Sequence, residues 1–278
     1  MTKKSNDLSR ESPKLSRKKN KYDKTRMDPK RETYDDKYFD LGIYSSYKQG
    51  YENYIEDLRY PDIVDDIIKN VKPKRVLDIG CAFGRVVEMF CSQGVEAYGV
   101  DISDYAISKA SDDIKKRLFQ VNVENEKIPF PDGHFDFISC LVVIEHLHDD
   151  THLLNEISRL ISKKGTVYIT TPPKSYEPSY TDKTHINLHD PEYWIKRFGD
   201  FGFNIEPLRI HQMFGYTYMK SIKGTYWKVK NEKPTSNFGS KLPRSIWIYT
   251  VTIIKFIRNS RLFKRNRYIW AYILTKAS

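Results

Sequence analysis

The sequence predicts an α/β fold in which a doubly wound, mostly parallel sheet is covered by helices on both faces. Three observations support this prediction. Short apolar runs alternate with amphipathic stretches, a glycine-containing turn follows the first run, and Asp101 ends the second. The 278 residues and the 39% apolar content suffice for one such domain with tails or an insertion.

The alternation of predicted strands and helices extends from residue 60 to residue 210. The strands are predicted at residues 75–80, 96–100, 118–121, 135–141, 165–171 and 204–210, and the helices at residues 60–71, 85–92, 104–117, 149–161 and 191–201. Pro61 stands near the start of the first helix, Gly94 follows the second, and Ser103 suits the N-cap of the third. Sheets of this kind bind ligands at the carboxyl ends of their strands, at the topological switch point.

The chain divides into five regions of different composition. They are a disordered basic tail (1–33), an N-terminal lid and helical segment (34–71), the core (72–210), a basic aromatic insertion (211–266) and a last strand of the core sheet (267–278). The second region is too rich in tyrosine for a free linker. Tyr44, Tyr47 and Tyr51 either close over a ligand or pack on the core.

The net charge of +11 is concentrated at the two ends of the chain. Residues 1–32 contain twelve Lys/Arg against five Asp/Glu, and residues 220–278 contain fourteen against one, so the middle is acidic. Basic ends can bind phosphates or anionic lipid, and they also keep a protein soluble. A helix predicted at 244–258, in the basic aromatic stretch 244–267, suits a membrane interface, nucleic-acid contact or packing on the core.

Cysteine usage and apolar runs indicate a cytoplasmic protein. The three cysteines (Cys81, Cys91 and Cys140) form no CxxC pair, so we expect neither a disulfide nor a metal site. The N-terminus lacks the apolar run of a secretory signal, and the apolar run at 246–254 is far shorter than the roughly 20 residues that span a bilayer. Lipid binding by the stretch 244–267 would make the protein peripheral at the inner face of the membrane.

The turn after the first predicted strand carries the clearest functional signal. In VLDIGCAFGR (76–85) a buried strand contains Asp78, the turn contains Gly80 and Gly84, and a helix follows. Glycine permits a sharp turn and close approach to a ligand, and the helix N-terminus points at that ligand. Asp101, about twenty residues later, suits a carboxylate that binds ribose hydroxyls. A dinucleotide site would need GxGxxG, and Asp78 would repel a pyrophosphate but attract a cationic group.

Together with FDFISCLVVIEHLHD (135–149) and KKGTVYITTPP (163–173), these motifs resemble the class I S-adenosylmethionine-dependent methyltransferases over residues 70–210. The chain is most similar to the subgroup that includes ubiquinone-pathway O-methyltransferases and many glycan and small-molecule methyltransferases. The resemblance implies a Rossmann-like sheet of seven strands with an antiparallel last strand. It also implies S-adenosylmethionine as the cofactor.

The resemblance further implies which residues bind the cofactor. They are Asp78, Gly80, Cys81, Gly84, Asp101, Ile102, Asn122 and Val123. The turn lines the methionine part, Asp101 binds the ribose, Ile102 packs on the adenine ring, and the last two hold the adenine edge. Asn122 stands where the family usually has Asp, and it keeps a carbonyl acceptor for the adenine amino group. Ala82 replaces the family's middle glycine.

Four histidines are candidates for the acceptor side of the site. A hydroxyl acceptor must lose a proton, whereas alignment with the methyl group supplies much of the acceleration. His146 and His148 follow the fourth strand, and His185 and His189 lie in THINLHDPEYW. We take His185 as the first candidate for the catalytic base and His146 as the second. The alternative for each is a structural hydrogen bond or a helix cap.

The predicted function is S-adenosylmethionine-dependent methyl transfer to oxygen on a small molecule or glycan, including lipid-linked acceptors. The fourth strand runs into CLVVIEH, where enzymes that methylate amino groups often carry an Asn-Pro-Pro-Tyr-type motif. Two alternatives stay open. One is an RNA methyltransferase, which only the basic ends favour. The other is a non-catalytic binding protein that retains the fold.

Overall fold

The computed structural model describes residues 26–52, 60–175, 177–209 and 270–277. Within them, seven strands alternate with helices. The strands are β1 (Arg75–Ile79), β2 (Glu96–Asp101), β3 (Leu118–Gln120), β4 (Phe135–Leu141), β5 (Ile161–Thr171), β6 (Phe203–Arg209) and β7 (Trp270–Lys276). The helices are α1 (Asp36–Phe39), α2 (Tyr60–Asn70), α3 (Arg85–Ser92), α4 (Asp104–Ser108), α5 (Asp112–Lys115), α6 (Thr151–Leu160) and α7 (Pro191–Asp200). Short 3-10 turns occupy Arg31–Thr33, Ile144–His146 and Glu177–Tyr180.

The strands form one sheet in the order β3-β2-β1-β4-β5-β7-β6. The first five strands pair in parallel, and β7 lies between β5 and β6, antiparallel to both. This arrangement confirms the predicted seven-stranded, mostly parallel sheet with an antiparallel last strand. Because the strand order reverses between β1 and β4, a crevice forms at their carboxyl ends, where sheets of this kind bind ligands.

Strand β1 is apolar on both faces because helices cover both sides of the sheet. Val76 and Phe90 belong to a cluster that also contains side chains of α2 and α3. Leu77 and Ile79 point to the opposite side, in the cluster that contains Trp194 of α7 and side chains of α6. All five side chains are fully buried. Because successive side chains of a strand point to opposite faces, β1 packs against a layer of helices on each face of the sheet.

Two predicted elements differ from the structure by more than a shift of one or two residues at an end. The helix predicted at 104–117 is broken into α4 and α5, because Ser111 adopts an extended conformation (φ −63°, ψ 147°) and its hydroxyl donates to Glu88. Strand β5 begins at Ile161, which was predicted as the end of a helix. Ile161 pairs with Phe135 and is buried, so sheet pairing outweighs the helical periodicity there.

Residues 26–33, which the sequence places in a disordered tail, lie against the core in the structure. The Met27 amide donates to the carbonyl of Lys183 at 3.0 Å, and Arg31 pairs with Glu126 at 3.0 Å. Pro29 is buried. The polar composition of this segment predicts little burial. Composition does not reveal these contacts, because they are made to residues distant in the sequence.

Several predicted regions lie outside the described residues. They are the first 25 residues of the basic tail, the insertion 211–266 and its predicted helix 244–258. Among the helices that the structure describes, none is both long and apolar enough to cross a membrane.

The first prediction concerns Gly84, the N-cap of α3. Its φ is +74°, and an added Cβ would lie 2.6 Å from Cδ1 of Ile114 and 2.8 Å from Cδ1 of Leu118. In Gly84→Ala, alanine would have to adopt a left-handed backbone conformation, and its Cβ would overpack the core. We therefore expect the free energy of unfolding, measured by urea denaturation, to fall by about 2–4 kcal/mol.

Gly94→Ala is the matched control. Gly94 has a φ of +79°, but an added Cβ would meet nothing within 4 Å. This variant carries the backbone strain alone and should lose only about 1–2 kcal/mol. Equal losses in the two variants would contradict the overpacking at Gly84.

Candidate cofactor and acceptor site

A cavity opens at the carboxyl ends of β1 to β4, below the tyrosine-rich segment. Most of the residues predicted for the site line it. These are Asp78, Gly80, Cys81, Asp101, Ile102, Asn122, Val123, His146 and His185. Gly84 is not among the lining residues. It packs against Ile114 and Leu118 and is the N-cap of α3. The parallel strands, together with the segment after β5 that carries His185, therefore bring together residues that lie more than one hundred positions apart in the sequence.

The turn after β1 is tied to β2 through its backbone. The amides of Gly80 and Cys81 both donate to the carbonyl of Val100, at 2.8 and 3.1 Å. Gly80 has a φ of +73°, and an added Cβ would overlap Cγ2 of Val143. Glycine is therefore required here by the close approach of the loop after β4, in addition to any ligand.

Asp101 is fixed by two backbone amides. Its Oδ2 accepts from the amide of Ala82 at 2.8 Å, and its Oδ1 accepts from the amide of Ser103 at 2.9 Å. Burial raises the pKa of Asp101 above its ordinary value, although these amides oppose the shift. Each carboxylate oxygen keeps a further lone pair that can accept from a ligand hydroxyl. Ala82 has a φ of +45°, a left-handed conformation that glycine would adopt with less strain.

Asp78 is buried beneath the same turn. Its Oδ1 accepts from the hydroxyl of Ser139 at 2.6 Å. Burial, with a further contribution from Asp101, raises the pKa of Asp78 to about 7, although the Ser139 bond opposes the shift. A cation placed nearby would favour the ionised form of this carboxyl. The position therefore suits a positively charged ligand group.

The third part of the cavity wall follows β3. Val123 is buried and Ile102 is half-buried, so both present apolar surface. The side-chain carbonyl of Asn122 accepts from the amide of Glu124 at 3.0 Å, and its backbone amide donates to Glu126 at 2.7 Å. Asn122 thus shapes the turn and keeps one carbonyl lone pair for a ligand donor.

A wall of aromatic rings closes the cavity on the N-terminal side. The rings that line it are Tyr34, Tyr38, Phe39, Tyr47, Tyr51 and Tyr60. Tyr47 and Tyr51 were singled out from the sequence, whereas Tyr34 and Tyr38 were not, although they belong to the same tyrosine-rich stretch. Tyr44 is not among the lining residues, and its carbonyl accepts from the amide of Lys183. Burial raises the pKa of Tyr34, Tyr38 and Tyr51 well above the ordinary value, so these hydroxyls stay neutral.

The two histidines proposed as catalytic lie side by side, with ring centroids 4.7 Å apart. Nδ1 of His185 is 2.6 Å from the carbonyl of Ser179, and Nδ1 of His146 is 2.8 Å from the hydroxyl of Thr184. Burial lowers the pKa of both, that of His146 to about 3 with a contribution from His185. Both imidazoles are therefore neutral at physiological pH.

Asp182 is a residue of this site that the sequence analysis missed. Its carboxylate accepts from the amide and the hydroxyl of Thr184, at 3.0 and 2.6 Å, from the Tyr38 hydroxyl at 3.2 Å and from the Ser46 amide at 3.4 Å. A carboxylate surrounded by donors stays ionised. It joins the aromatic wall to the histidines. No sequence signal could have identified it, because Tyr38, Ser46 and the histidine His146 to which Thr184 links it are distant in the sequence.

The other two candidate histidines lie elsewhere. His148 is exposed, and its Nε2 is 2.7 Å from Oδ1 of Asp28. His189 stacks on Tyr193 with ring centroids 3.5 Å apart, and its Nε2 is 2.9 Å from the side-chain carbonyl of Asn187. Neither is among the described residues that line the cavity.

Comparison with known proteins agrees with the fold. A family model described as a methyltransferase domain matches residues 51–208, more than half of the chain. A ubiquinone biosynthesis O-methyltransferase of Pelagibacter ubique is 31% identical over 193 residues, which cover 65% of this chain and 78% of that protein. The protein of the same name from Nitrosomonas europaea is 30% identical over 121 residues, and the chain spans about half (51%) of its length.

Two solved structures show the same fold. A Haemonchus contortus phosphoethanolamine N-methyltransferase 2 in complex with S-adenosyl-L-methionine has a TM-score of 0.52 and 18% identity, covering 90% of this chain and 60% of that one. A SAM-dependent methyltransferase from Archaeoglobus fulgidus has a TM-score of 0.50 and 19% identity, covering 81% and 99%. At these identities the likeness concerns the fold alone.

The fold, with its acidic glycine turn at the switch point, defines a class I S-adenosylmethionine-dependent methyltransferase. The chain belongs to the methyltransferase-domain family, and S-adenosylmethionine is the cofactor of this class.

The second prediction concerns the pH dependence of cofactor binding. Asp78, with a pKa of about 7, must lose its proton to pair with the cationic cofactor. Affinity for S-adenosylmethionine should therefore fall as the pH drops below about 7, by up to about tenfold per pH unit. The cofactor's own ammonium stays protonated in this range, since α-amino groups titrate at about 7.7–8.0. Calorimetric titration from about pH 5.5 to 7 measures this slope.

Asp78→Asn is the control, because it removes the titrating group and keeps the shape. Its slope should be smaller than that of the unmodified protein, with only Asp101 left to contribute. An unchanged slope in Asp78→Asn would show that Asp78 does not pair with the cofactor.

Proposed function

We propose that this chain transfers the methyl group of S-adenosylmethionine to a hydroxyl oxygen of a small molecule or glycan, including lipid-linked acceptors. One observation carries the proposal. A single cavity has the buried carboxyls Asp78 and Asp101 in one part of its lining and the neutral imidazoles His146 and His185 in another. Buried acids suit a cationic donor, and a neutral imidazole can take the proton that a hydroxyl must lose.

The lining residues fit the cofactor group by group. Asp78 attracts the charged methionine part, and Asp101 accepts from the ribose hydroxyls. Ile102 and Val123 pack on the adenine, and Asn122 accepts from its amino group. The small turn residues Gly80 and Cys81 let the backbone approach, and Gly84 begins the helix whose N-terminus faces the ligand. These roles belong to the proposal.

The acceptor side follows from the histidine tautomers. Because Nδ1 of His185 is bonded to a carbonyl, that nitrogen carries the proton and Nε2 keeps a free lone pair. The acceptor oxygen attacks the methyl carbon while its proton moves to Nε2 of His185. Bound S-adenosylmethionine would supply the methyl group for the new O–C bond and would leave as S-adenosylhomocysteine, with the electron pair of the broken S–C bond on sulfur. His146 lies beside this position.

Oxygen as the acceptor atom is supported by the relatives. The curated proteins from Pelagibacter ubique and Nitrosomonas europaea are named as O-methyltransferases of ubiquinone biosynthesis. Hydroxylated aromatic compounds, such as quinone precursors, are therefore the first acceptors to supply.

The third prediction tests the reaction itself. Full-length protein is incubated with methyl-labelled S-adenosylmethionine and a small-molecule extract, and mass spectrometry follows S-adenosylhomocysteine and labelled products. We expect one labelled O-methyl product. His185→Ala should lower its rate by about 100-fold or more, the usual contribution of a general base.

His189→Ala is the matched control, because His189 stacks on Tyr193 away from the cavity lining. Its rate should stay near that of the unmodified protein. Normal turnover in His185→Ala would remove the base assignment. Cofactor binding without any S-adenosylhomocysteine release would overturn the proposed function in favour of a binding protein.

We also propose that residues 244–267 hold the protein at an anionic lipid surface. The support is composition alone: Trp247 stands among Arg244, Lys255 and Arg258, and further basic residues follow. Such a contact would bring the enzyme to a lipid-linked acceptor.

The fourth prediction is co-sedimentation of the full-length protein with vesicles that contain anionic lipid, but not with neutral vesicles. High salt should weaken it, because the attraction is screened. The triple variant Arg261→Glu, Lys264→Glu, Arg265→Glu should stay in the supernatant. Binding to RNA without binding to vesicles would contradict the lipid surface and support the RNA-methyltransferase alternative.

A further inference from the structure

Three side chains that can bind a metal ion meet beside the acceptor part of the cavity. They are Glu145, His146 and His185, and one ligand atom from each lies within 4.8 Å of the others. Nε2 of His185 is 4.0 Å from Oε1 of Glu145. Tetrahedral Zn²⁺ with ligand bonds of about 2.1 Å holds its donor atoms about 3.4 Å apart, so binding of the ion would draw these three ligand atoms closer together by side-chain rotation. The sequence analysis expected no metal site because it found no cysteine pair.

Both imidazoles present an unprotonated Nε2. Nδ1 of His185 donates to the carbonyl of Ser179, which can only accept. Nδ1 of His146 donates to the hydroxyl of Thr184, because that hydroxyl gives its own proton to the carboxylate of Asp182. Metal-binding histidines characteristically have their second nitrogen bonded in this way, since the bond fixes the tautomer and the ring orientation.

Glu145 provides an independent observation. Its side chain is fully buried, and neither carboxyl oxygen makes a hydrogen bond of good geometry among the described residues, although the Thr171 hydroxyl and the Glu145 amide lie close enough to favour the ionised form. A buried carboxyl without a partner is costly, and a cation would offset that cost. The carbonyl of Glu145 accepts from the amides of Ile186 and Asn187 at 2.9 and 2.8 Å. The loop after β4 is therefore held against the segment that carries His185.

We propose that Glu145, His146 and His185 bind one divalent transition-metal ion such as Zn²⁺ beside the acceptor part of the cavity. Two imidazole nitrogens and one carboxylate oxygen form a ligand set that binds Zn²⁺ and leaves a coordination position open. His146 and His185 both line the cavity, so that position is accessible from it. Asp182 and Thr184 act as positioning residues for His146.

The ion deepens the proposed function, and its role in the reaction rests on that function. An acceptor hydroxyl bound at the open position would have a lowered pKa and release its proton to solvent. Nε2 of His185 cannot ligate the ion and accept that proton at once. The metal site therefore assigns His185 to ion binding in place of the base role. Binding of the ion itself depends on neither cofactor nor acceptor.

The fifth prediction uses tag-free, full-length protein that has been treated with a chelator and incubated with Zn²⁺ alone. After desalting, mass spectrometry of the metal content should give one Zn²⁺ per chain. Co²⁺ in its place should give a visible absorption spectrum typical of nitrogen and oxygen ligands. Glu145→Gln, His146→Ala and His185→Ala should each lower Zn²⁺ affinity by about 100-fold or more. Thr184→Val should lower it by about 10–100-fold, the usual cost of losing a bond that orients a ligand.

His148→Ala is the matched control, because His148 lies two positions beyond His146 but is exposed and outside the cavity lining. It should keep full metal content. S-adenosylmethionine binding, measured on each variant, shows that the fold is intact. Glu145→Gln keeps the side-chain shape and so tests the ligand without a cavity.

The outcomes separate the two proposals. Zn²⁺ bound at one per chain and lost in the three ligand variants supports the site, even where no methyl transfer is found. If the unmodified protein binds S-adenosylmethionine but no more Zn²⁺ than Glu145→Gln does, the metal site is overturned. His185 then remains the proposed base. Zn²⁺ that is retained in all three ligand variants also overturns the metal site.

Discussion

The backbone connection between the turn after β1 and the end of β2 is the constraint on which the site depends. The amides of Gly80 and Cys81 bond to Val100, and the amide of Ala82 bonds to the carboxylate of Asp101. These bonds hold one buried acid beside the turn while Asp78 lies beneath it. The turn contains three left-handed residues, Gly80, Ala82 and Gly84, and these bonds hold it in that conformation.

The cavity combines two buried carboxyls in one part of its lining with two neutral imidazoles in another. In its β1–β2 part, burial holds two carboxyls whose ionised forms a cationic donor would favour. Near the histidines, burial keeps two imidazoles neutral, and Asp182 stays ionised because four donors surround it. The proposed reaction, with a cationic methyl donor and an acceptor that loses a proton, would use both environments. One cavity supplies both, because parallel strands end at the same edge of the sheet.

The aromatic wall depends on packing that no local pattern describes. Phe39 contacts Tyr51 and Phe83 with ring centroids 5.3 and 5.4 Å apart, and Phe83 belongs to the turn after β1. The N-terminal segment is thereby joined to the cofactor turn. Tyrosine content alone indicated that this segment packs somewhere. Which rings line the cavity follows from the fold, since Tyr34 and Tyr38 do and Tyr44 does not.

The sequence by itself determined the alternating fold and the acidic glycine turn, because periodicity, glycine and strand-end carboxylates are local signals. The seven-stranded sheet was implied by the family resemblance that these motifs carry. The sequence also singled out His146 and His185, without placing them together. Only the tertiary structure decided that Glu145 and Asp182 join them, that helix 104–117 breaks at Ser111, and that Ile161 belongs to β5. Each of these depends on contacts between distant segments, where burial and pairing outweigh local preference.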